Sequence, residues 1–353
     1  MGQDAEVKRY QTDCSPEYPP VTFALISYNQ ERFIAEAIAG AFAQTYPSLE
    51  IIISDDCSSD DTFRIIKEAV DSYHGPHKVL FMQTPKNIGT LMHVASVAKR
   101  AAGALLVLAA GDDISKPERC GELVEIWKAT GAWAISSRFD IIDELGLVHG
   151  TSLESAVVDN PNYRLRKYFY EGEGGISIVH GATSAYDVKL FDYLHISDNS
   201  YILSEDGALS VLLNMLGEKI VNFHKSLVFY RQSPQSLTNA GRRKFLSMVE
   251  IAENELKIEV MARSQYNRCS FFLGLNEHLG QRKVRTLNVD LIKKDMIQQK
   301  ARSRWTQNSF GERIKFVFNG CSRSSLSWVL PRVFGVRFFY LVKMLRGFVY
   351  IRR

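Results

Sequence analysis

Acidic and polar side chains recur directly after three apolar segments of the chain. They are Ser27, Tyr28 and Asn29, then Asp55 and Asp56 with their neighbours, and last Asp112 and Asp113. If the apolar segments are parallel strands, their carboxyl ends form the ligand-binding edge of an open α/β sheet. Carboxylates at such an edge can accept hydrogen bonds from a ribose or a base, or hold a divalent cation against phosphates. Each cluster alone is also a good helix cap, so the prediction depends on their recurrence at one edge.

A second acidic pair, Glu205 and Asp206, lies about ninety residues beyond Asp112 and follows Ser204 at the start of a helical pattern. A positioned carboxylate can take the proton of a hydroxyl nucleophile, whose own pKa lies far above 7. Ser204 followed by two acids in the first turn is also a favourable start for a helix. By themselves these residues indicate either a general base or a helix cap.

Alternating strand and helix patterns connect the clusters and predict the elements that position them. Continuous apolar runs predict strands buried on both faces, and apolar residues at helical spacing predict the intervening helices. The predicted strands are 21–27, 50–54, 78–83 and 104–110, and the predicted helices are 31–44, 60–73, 89–102 and 117–130. This alternation predicts an α/β fold with a mainly parallel sheet flanked by helices.

The pattern is weaker in the second half of the chain. A polar stretch at 151–175 predicts a long loop near the site, followed by an ordered segment at 177–185, a helix at 205–216 and a strand at 219–229. Beyond residue 242 the sequence predicts helices only. The predicted organisation is a mobile N-terminus at 1–19, an α/β domain at 20–240 with halves 20–120 and 121–240, and a helical, basic region at 241–353.

The net charge of +4 is the sum of two unlike parts. Residues 300–353 contain twelve Lys and Arg against one acid, Glu312, so this tail carries +11 and the remainder carries −7. Aromatic residues are interspersed with the cations of the tail, which predicts a segment lying on an anionic membrane surface. Packing of a basic helix on the acidic body is the alternative. No recognised RNA-binding motif is present, so nucleic acid is not an expected partner.

The cysteines and the N-terminal residues indicate the cellular compartment in which the protein is expected. Five cysteines without CxxC spacing favour reduced thiols over a zinc site or a disulfide framework. The polar N-terminus lacks the apolar core of a signal peptide, and no long uncharged apolar run predicts a membrane span. These features predict a cytoplasmic protein, peripheral on the inner face of the cell membrane.

The motifs of residues 20–120 resemble family 2 glycosyltransferases, and a weaker resemblance continues to about Asn239. Tyr28-Asn29 with Gln44–Pro47 is similar to the family's opening pattern, Asp55–Thr62 resembles its acidic segment, and Asn87 with Gly89 resembles its N-x-G. The resemblance implies the GT-A fold and a nucleotide-sugar donor. The donor-binding residues that it implies are Ser27, Tyr28, Asn29, Asp56, Asn87, Asp112, Asp113 and Arg231.

One departure from the family pattern concerns the metal. The family's fourth strand usually ends D-x-D-D, whereas here Ala110 stands in place of the first acid. The resemblance implies that Asp112 holds Mg²⁺ or Mn²⁺ against the diphosphate and that Asp113 supports it. It also implies that Arg231, in a mobile loop after Tyr230, closes over the diphosphate through paired hydrogen bonds.

Glu205-Asp206 resembles the family's ED motif, which implies that Asp206 is the catalytic base and that Glu205 lies on the acceptor side. We therefore predict an inverting, metal-dependent hexosyl- or N-acetylhexosaminyltransferase. It would move sugar from a UDP-sugar to a hydroxyl of a glycan acceptor, lipid-linked, in bacterial surface polysaccharide synthesis such as O-antigen or capsule. The alternatives are a nucleotide-sugar-binding protein without transfer activity, in view of Ala110, and a nucleotidyltransferase, which the absence of an early Gly-rich loop disfavours.

Overall fold

The computed structural model describes residues 17–152, 161–170, 176–196, 201–232 and 248–304. Its first half contains every strand and helix predicted for it, and the helices begin one to three residues later than predicted. The strands are β1 (Val21–Ser27), β2 (Leu49–Asp55), β3 (Lys78–Gln83) and β4 (Leu105–Ala110). The helices are α1 (Ile34–Phe42), α2 (Thr62–Asp71), α3 (Thr90–Ala98) and α4 (Arg119–Thr130).

The second half adds strands that the sequence patterns do not predict. Its elements are β5 (Ile114–Ser115), β6 (Ala134–Ile142), β7 (Val148–Thr151), β8 (Ser184–Asp187), α5 (Glu205–Leu216) and β9 (Ile220–Arg231). Short 3₁₀ helices lie at Pro161–Tyr168, Gly181–Thr183 and Val188–Tyr193. The first of these occupies part of the predicted loop. Of the three missed strands, β6 has Ser136, Ser137 and Arg138 at its centre, so no apolar run marks it.

The described strands form one mainly parallel, mixed sheet in the order β3-β2-β1-β4-β8-β6-β9-β5, with β7 paired to β6. β1 is parallel to β2 and β4, whereas β8 is antiparallel to both β4 and β6. The register sets Ser27 beside Asp55 and Ile26 beside Ala110. The carboxyl ends of β1, β2 and β4 therefore share one edge, as the sequence predicts.

Helices cover this sheet on two faces. Phe23, Ile51 and Val107 are neighbours in the register and belong to one buried cluster with apolar residues of α1, α2 and α4. Side chains alternate along a strand, so Ala24 and Leu106 face the opposite side, and both are buried as well. The buried residues of α3 lie outside the first cluster, and α3 contacts α5. Burial on both faces accounts for the uninterrupted apolar sequence of these strands.

The described C-terminal residues are helical, as predicted, and form α6 (Met248–His278) and α7 (Val289–Arg302). Residues 267–292 belong to the same compact unit as the sheet, while the described residues 248–266 and 293–304 belong to a second unit. The boundary predicted near residue 240, the N-terminus and the basic tail beyond Arg304 lie outside the described residues. Within the described part of the chain, no helix is long and apolar enough to cross a bilayer.

Candidate functional site

Ser27 and Asp55 join the first two strands at the shared edge. The Ser27 hydroxyl donates to Asp55 Oδ1 at 3.3 Å and to the Ser54 carbonyl at 3.3 Å. Asp55 also accepts hydrogen bonds from the Ser58 amide at 2.8 Å, from the Ser58 hydroxyl, and from Gln83 Nε2 at 2.9 Å. The fully buried Asp55 therefore organises the loop after β2, a role that the sequence does not assign to it.

Asn29 fixes the loop after β1 against the loop after β2. Its φ of 52° lies in the left-handed region, which asparagine tolerates better than most residues. The Asn29 amide donates to Ser58 Oγ at 2.8 Å, and Asn29 Oδ1 accepts from the Ser59 amide at 2.8 Å. Tyr28 is 46% exposed at this turn. The turn therefore presents an aromatic ring to solvent beside the buried end of β1.

Asp56, one of the predicted donor-binding residues, is buried and holds the loop after β3. Its Oδ1 accepts from Thr84 Oγ1 at 2.8 Å and from the Ile88 amide at 3.0 Å, and its Oδ2 accepts from the Gly89 amide at 3.0 Å. Asn87 Oδ1 accepts from the same Gly89 amide at 3.2 Å. Asp56 and Asn87 thus shape the edge of the site through one loop.

The predicted metal ligand Asp112 lies directly after β4, in a turn that has no room for a side chain at Gly111. A Cβ at Gly111 would lie 2.9 Å from Ile34 Cδ1 and 3.0 Å from Ser27 Cβ, so the end of β4 packs closely on β1 and α1. Burial raises the pKa of Asp112, although its own backbone amide, Arg231 and a hydrogen bond from the Gln30 side chain favour its ionised form. Gln30 is a contact of this acid that the sequence motifs do not indicate.

Asp113 is 4% exposed, and its two carboxylate oxygens differ. Oδ1 accepts from the Arg231 backbone amide at 2.8 Å. Oδ2 is buried and has no hydrogen-bond partner within the described residues. Burial, followed by the adjacent Asp112, raises the pKa of Asp113 well above its ordinary value. A positive charge beside these acids would favour the ionised form of both.

Arg231 corrects the expectation of an arginine that closes over a ligand from a mobile loop. It is the last residue of β9 and is 2% exposed. All three guanidinium nitrogens donate to protein atoms of Asp112, Asp143, Glu144 and Glu36. The guanidinium is therefore occupied within the protein, and the residue supports the turn after β4 from inside.

Glu205 and Asp206, at the start of α5, lie at the same sheet edge because Glu205 contacts the segment that precedes β8. Because β8 runs antiparallel to β4, its first residue, Ser184, lies near the carboxyl end of β4, and Gly181 precedes it. Glu205 Oε1 lies against Gly181, where a Cβ would overlap it. Asp206 Oδ1 accepts from Ser204 Oγ at 2.7 Å and from the Gly207 amide at 2.6 Å. Asp206 is partly exposed, whereas Glu205 is buried.

Arg119, which the sequence motifs do not indicate either, connects the two acidic sites. It is fully buried, and its NH2 donates to the Leu108 carbonyl at 2.7 Å and to the Ala182 and Ser184 carbonyls at 3.4 Å each. Its NH1 donates to Ser115 Oγ at 2.8 Å. Burial lowers the pKa of Arg119 to about 10, so it remains charged at neutral pH. One cation thereby fixes the end of β4 to the segment that backs Glu205.

Glu205 should make the stability of the protein depend on pH. Burial, and next the charge of Asp206, raise the pKa of Glu205 from 4.5 to about 8. The folded protein therefore holds a proton that the unfolded chain releases, and this group's contribution to stability falls as the pH rises between those values. We expect Glu205→Gln, which stays neutral, to gain stability relative to the parent from pH 5 to pH 8. Urea midpoints at pH 5, 6.5 and 8 measure the difference.

The exposed Glu277 supplies the control for this experiment. Glu277→Gln should differ from the parent by the same small amount at all three pH values. A constant difference between Glu205→Gln and the parent would show that Glu205 is ionised in the folded protein at pH 5 already.

The strand order, the acidic edge and the helices on both faces define the GT-A fold. Among solved structures, residues 1–349 of S. aureus TarS in complex with UDP-GlcNAc have this fold, with a TM-score of 0.50 and 14% identity. The superposition covers 89% of this chain and 81% of that chain. Residues 22–194 match the family model described as Glycosyl transferase family 2. This match confirms the resemblance seen in the motifs, and the part of the chain that it covers belongs to glycosyltransferase family 2.

Two named relatives are also similar to this chain. Glycosyltransferase GlyA of Streptococcus pneumoniae serotype 4 is 23% identical over 251 residues, which are 70% of this chain and 35% of GlyA. Succinoglycan biosynthesis protein ExoO of Rhizobium meliloti is 27% identical over 124 residues, which are 35% of this chain and 34% of ExoO. The chain thus spans about a third of the length of these relatives.

Proposed function

We propose that the protein is an inverting glycosyltransferase that moves a sugar from a nucleotide-diphospho-sugar to an acceptor hydroxyl. The observation that carries this proposal is the convergence of two acidic sites at one sheet edge. Asp112 and Asp113 follow β4, Asp206 lies in the first turn of α5, and Arg119 joins the segments behind them. A site for a diphosphate and a site for a base are the two requirements of this reaction.

On the donor side, we propose that Asp112, with Asp113 beside it, holds a divalent cation, Mg²⁺ or Mn²⁺. The unpartnered Oδ2 of Asp113 and the raised pKa values of both acids fit a cation at this turn. Within the described residues no three His, Cys, Asp or Glu side chains cluster to enclose a metal. Two carboxylates suit Mg²⁺, which commonly takes its other ligands from water and substrate phosphates. When bound, the cation would stabilise negative charge on the departing nucleoside diphosphate.

On the acceptor side, we propose that Asp206 is the general base. Its Oδ1 is oriented by Ser204 and the Gly207 amide, and its partly exposed carboxylate can accept the proton of an incoming hydroxyl. The buried Glu205, with its raised pKa, supports the loop at Gly181 and is a poor competitor for that role near neutral pH. Attack from the side opposite the leaving diphosphate inverts the anomeric centre.

The proposal also specifies the class of donor nucleotide and the class of glycan that is made. TarS binds UDP-GlcNAc in its crystal structure, which makes UDP-sugars of hexoses or N-acetylhexosamines the first donors to test. ExoO is named for succinoglycan biosynthesis, which favours a bacterial surface polysaccharide as the product. Ser27, Tyr28, Asn29, Asp56 and Asn87 line or shape the edge where the nucleoside would bind.

A lipid-linked glycan is the acceptor that we propose, at the cytoplasmic face of the membrane. The support is the +11 charge of residues 300–353 and the aromatic residues among its cations. Flotation with vesicles that contain anionic lipid tests this part. The full chain should float with the vesicles and a chain ending near Ser325 should not. Equal flotation of the two chains would refute membrane binding by the tail.

A donor screen tests the central proposal and separates it from binding without transfer, the alternative that Ala110 favours. UDP-, GDP- and dTDP-sugars are added with Mn²⁺ or with EDTA, and Tm is measured. A UDP-sugar should raise Tm more with Mn²⁺ than with EDTA, because ligands that bind the folded state stabilise it. Release of UDP in the presence of a lipid-linked acceptor should follow. Binding without release would favour the alternative, and no response to any nucleotide-sugar would refute the proposal.

A further inference from the structure

The buried Arg231 side chain connects three elements around the proposed donor site. Its Nε donates to the Asp112 carbonyl at 2.9 Å. Its NH1 donates to the carbonyls of Asp143 at 3.0 Å and Glu144 at 3.1 Å, in the turn between β6 and β7. Its NH2 donates to Glu36 Oε2 of α1 at 2.8 Å. One guanidinium thus bonds to the turn after β4, the β6–β7 turn and a helix.

The main chain of Arg231 reaches the second acid. Its amide donates to Asp113 Oδ1 at 2.8 Å, so one residue contacts both Asp112 and Asp113 from behind. The guanidinium carbon also lies 4.7 Å from the centre of the Phe33 ring. This cation–π contact adds to the hydrogen bonds that hold the guanidinium in place.

The β6–β7 turn is a rigid partner for this arginine. Asp143 Oδ1 accepts from the amides of Leu145 and Leu147 at 2.9 Å each, and the Asp143 amide donates to the Leu147 carbonyl at 3.1 Å. Leu145 is 83% exposed, so local hydrogen bonds rather than packing shape the tip. The two carbonyls that face Arg231 are therefore fixed by the turn itself.

We propose that Arg231 is a positioning residue for the Asp112–Asp113 pair: it holds the two carboxylates in place for a cation and diphosphate without contacting either ligand. The proposal rests on the proposed donor site. A lysine cannot replace the arginine, because a single ammonium cannot reach Asp112, the β6–β7 turn and Glu36 from one point. Groups that orient metal ligands from behind commonly change metal affinity by 10- to 100-fold when they are altered.

Arg32 provides a matched control. It also lies over the Phe33 ring, at 5.0 Å, and also binds the β6–β7 turn, through Glu144 at 3.0 Å. It is half exposed, and it makes no contact with Asp112 or Asp113 among its described bonds. Arg32→Lys therefore removes a comparable arginine from the same surroundings without touching the acidic turn.

The experiment compares Arg231→Lys, Arg32→Lys and the parent by calorimetric titration with UDP, in Mn²⁺ and in EDTA. Hydrogen exchange of the segments 110–116 and 141–149 is measured alongside. Arg231→Lys should bind UDP about 10-fold or more weakly in Mn²⁺ and within about 2-fold of the parent in EDTA. Exchange should become faster in both segments. Arg32→Lys should match the parent in both titrations and in segment 110–116.

Glu36→Ala covers the case in which Arg231→Lys does not fold. Glu36 is half exposed, and its removal leaves the other bonds of Arg231 in place. It should weaken Mn²⁺-dependent binding in the same direction, by a smaller factor than Arg231→Lys because three of the four side-chain bonds of Arg231 remain. Unchanged exchange in segment 110–116, or an unchanged ratio of UDP affinities in Mn²⁺ and EDTA, would overturn the positioning role. If the parent itself fails to bind UDP, the proposed donor site fails, and the exchange data still decide whether Arg231 holds the turn.

Discussion

Asp206→Asn is expected to reduce sugar transfer by about 10³-fold while leaving the affinity for UDP in Mn²⁺ unchanged. A general base typically contributes 10²- to 10⁴-fold to a rate, and an amide cannot accept the proton of the acceptor hydroxyl. The asparagine oxygen can still accept from Ser204 Oγ and the Gly207 amide, so α5 should begin as it does in the parent. Initial rates of UDP release and calorimetric titration with UDP give the two values.

Asp71→Asn is the matched control, since Asp71 is an exposed aspartate at the end of α2. Its rate and its affinity for UDP should equal those of the parent. Transfer by Asp206→Asn at the parental rate would remove Asp206 from the role of base. A parallel loss of transfer and UDP binding would instead indicate that Asp206 organises the donor site.

Asp112→Asn is expected to weaken UDP binding in Mn²⁺ by about 100-fold, or about 2.7 kcal/mol, and to leave binding in EDTA unchanged. The amide oxygen keeps the shape of the ligand but removes the negative charge that attracts the cation. Transfer should fall by at least the same factor. Titrations with UDP in Mn²⁺ and in EDTA separate the loss of the cation from the loss of nucleoside contacts.

The thermal stability of Asp112→Asn distinguishes this explanation from misfolding. Burial raises the pKa of Asp112, so the folded protein without a cation opposes its negative charge. A neutral asparagine relieves that cost, and Tm in EDTA should equal or exceed that of the parent. A lower Tm accompanied by weaker binding in both Mn²⁺ and EDTA would contradict the role of Asp112 as a metal ligand.

The sequence predicts the first half of the fold well because local signals agree there with the tertiary structure. β1 and β2 are buried on both faces, so their apolar runs are uninterrupted. The strands from β5 to β7 lack this signal. β5 contains only two residues. β6 has serines and an arginine at its centre, and its pairing with β8 and β9 stabilises it as a strand. Such strands depend on partners distant in sequence, which a single-chain pattern does not reveal.

The candidate site also contains some residues that the sequence predicts and others that it does not. Acids that follow strands are visible in the sequence, and the fold brings Asp112, Asp113 and Asp206 to one edge. The partners of Arg231 and Arg119 are mainly main-chain carbonyl oxygens from distant segments, and a carbonyl has no sequence signature. An arginine after an aromatic residue therefore resembles a surface ligand group, although Arg231 is buried. The burial of Arg231 results from tertiary packing, which the local sequence does not reveal.

The bonds of Arg119 bear on how far the sequence of residues 121–240 can vary. The oxygens that it binds beyond β4 belong to the main chain at Ala182 and Ser184, and every amino acid supplies such an oxygen. Substitutions in residues 121–240 can therefore change side chains around the candidate site while Arg119 keeps its bonds to this segment. A chimera that exchanges residues 121–240 needs to preserve the backbone path from Ala182 to Ser184 and the glycine at 181, where a Cβ would overlap Glu205. The buried Arg119 therefore joins residues 20–120 to residues 121–240 without requiring a particular side chain at Ala182 or Ser184.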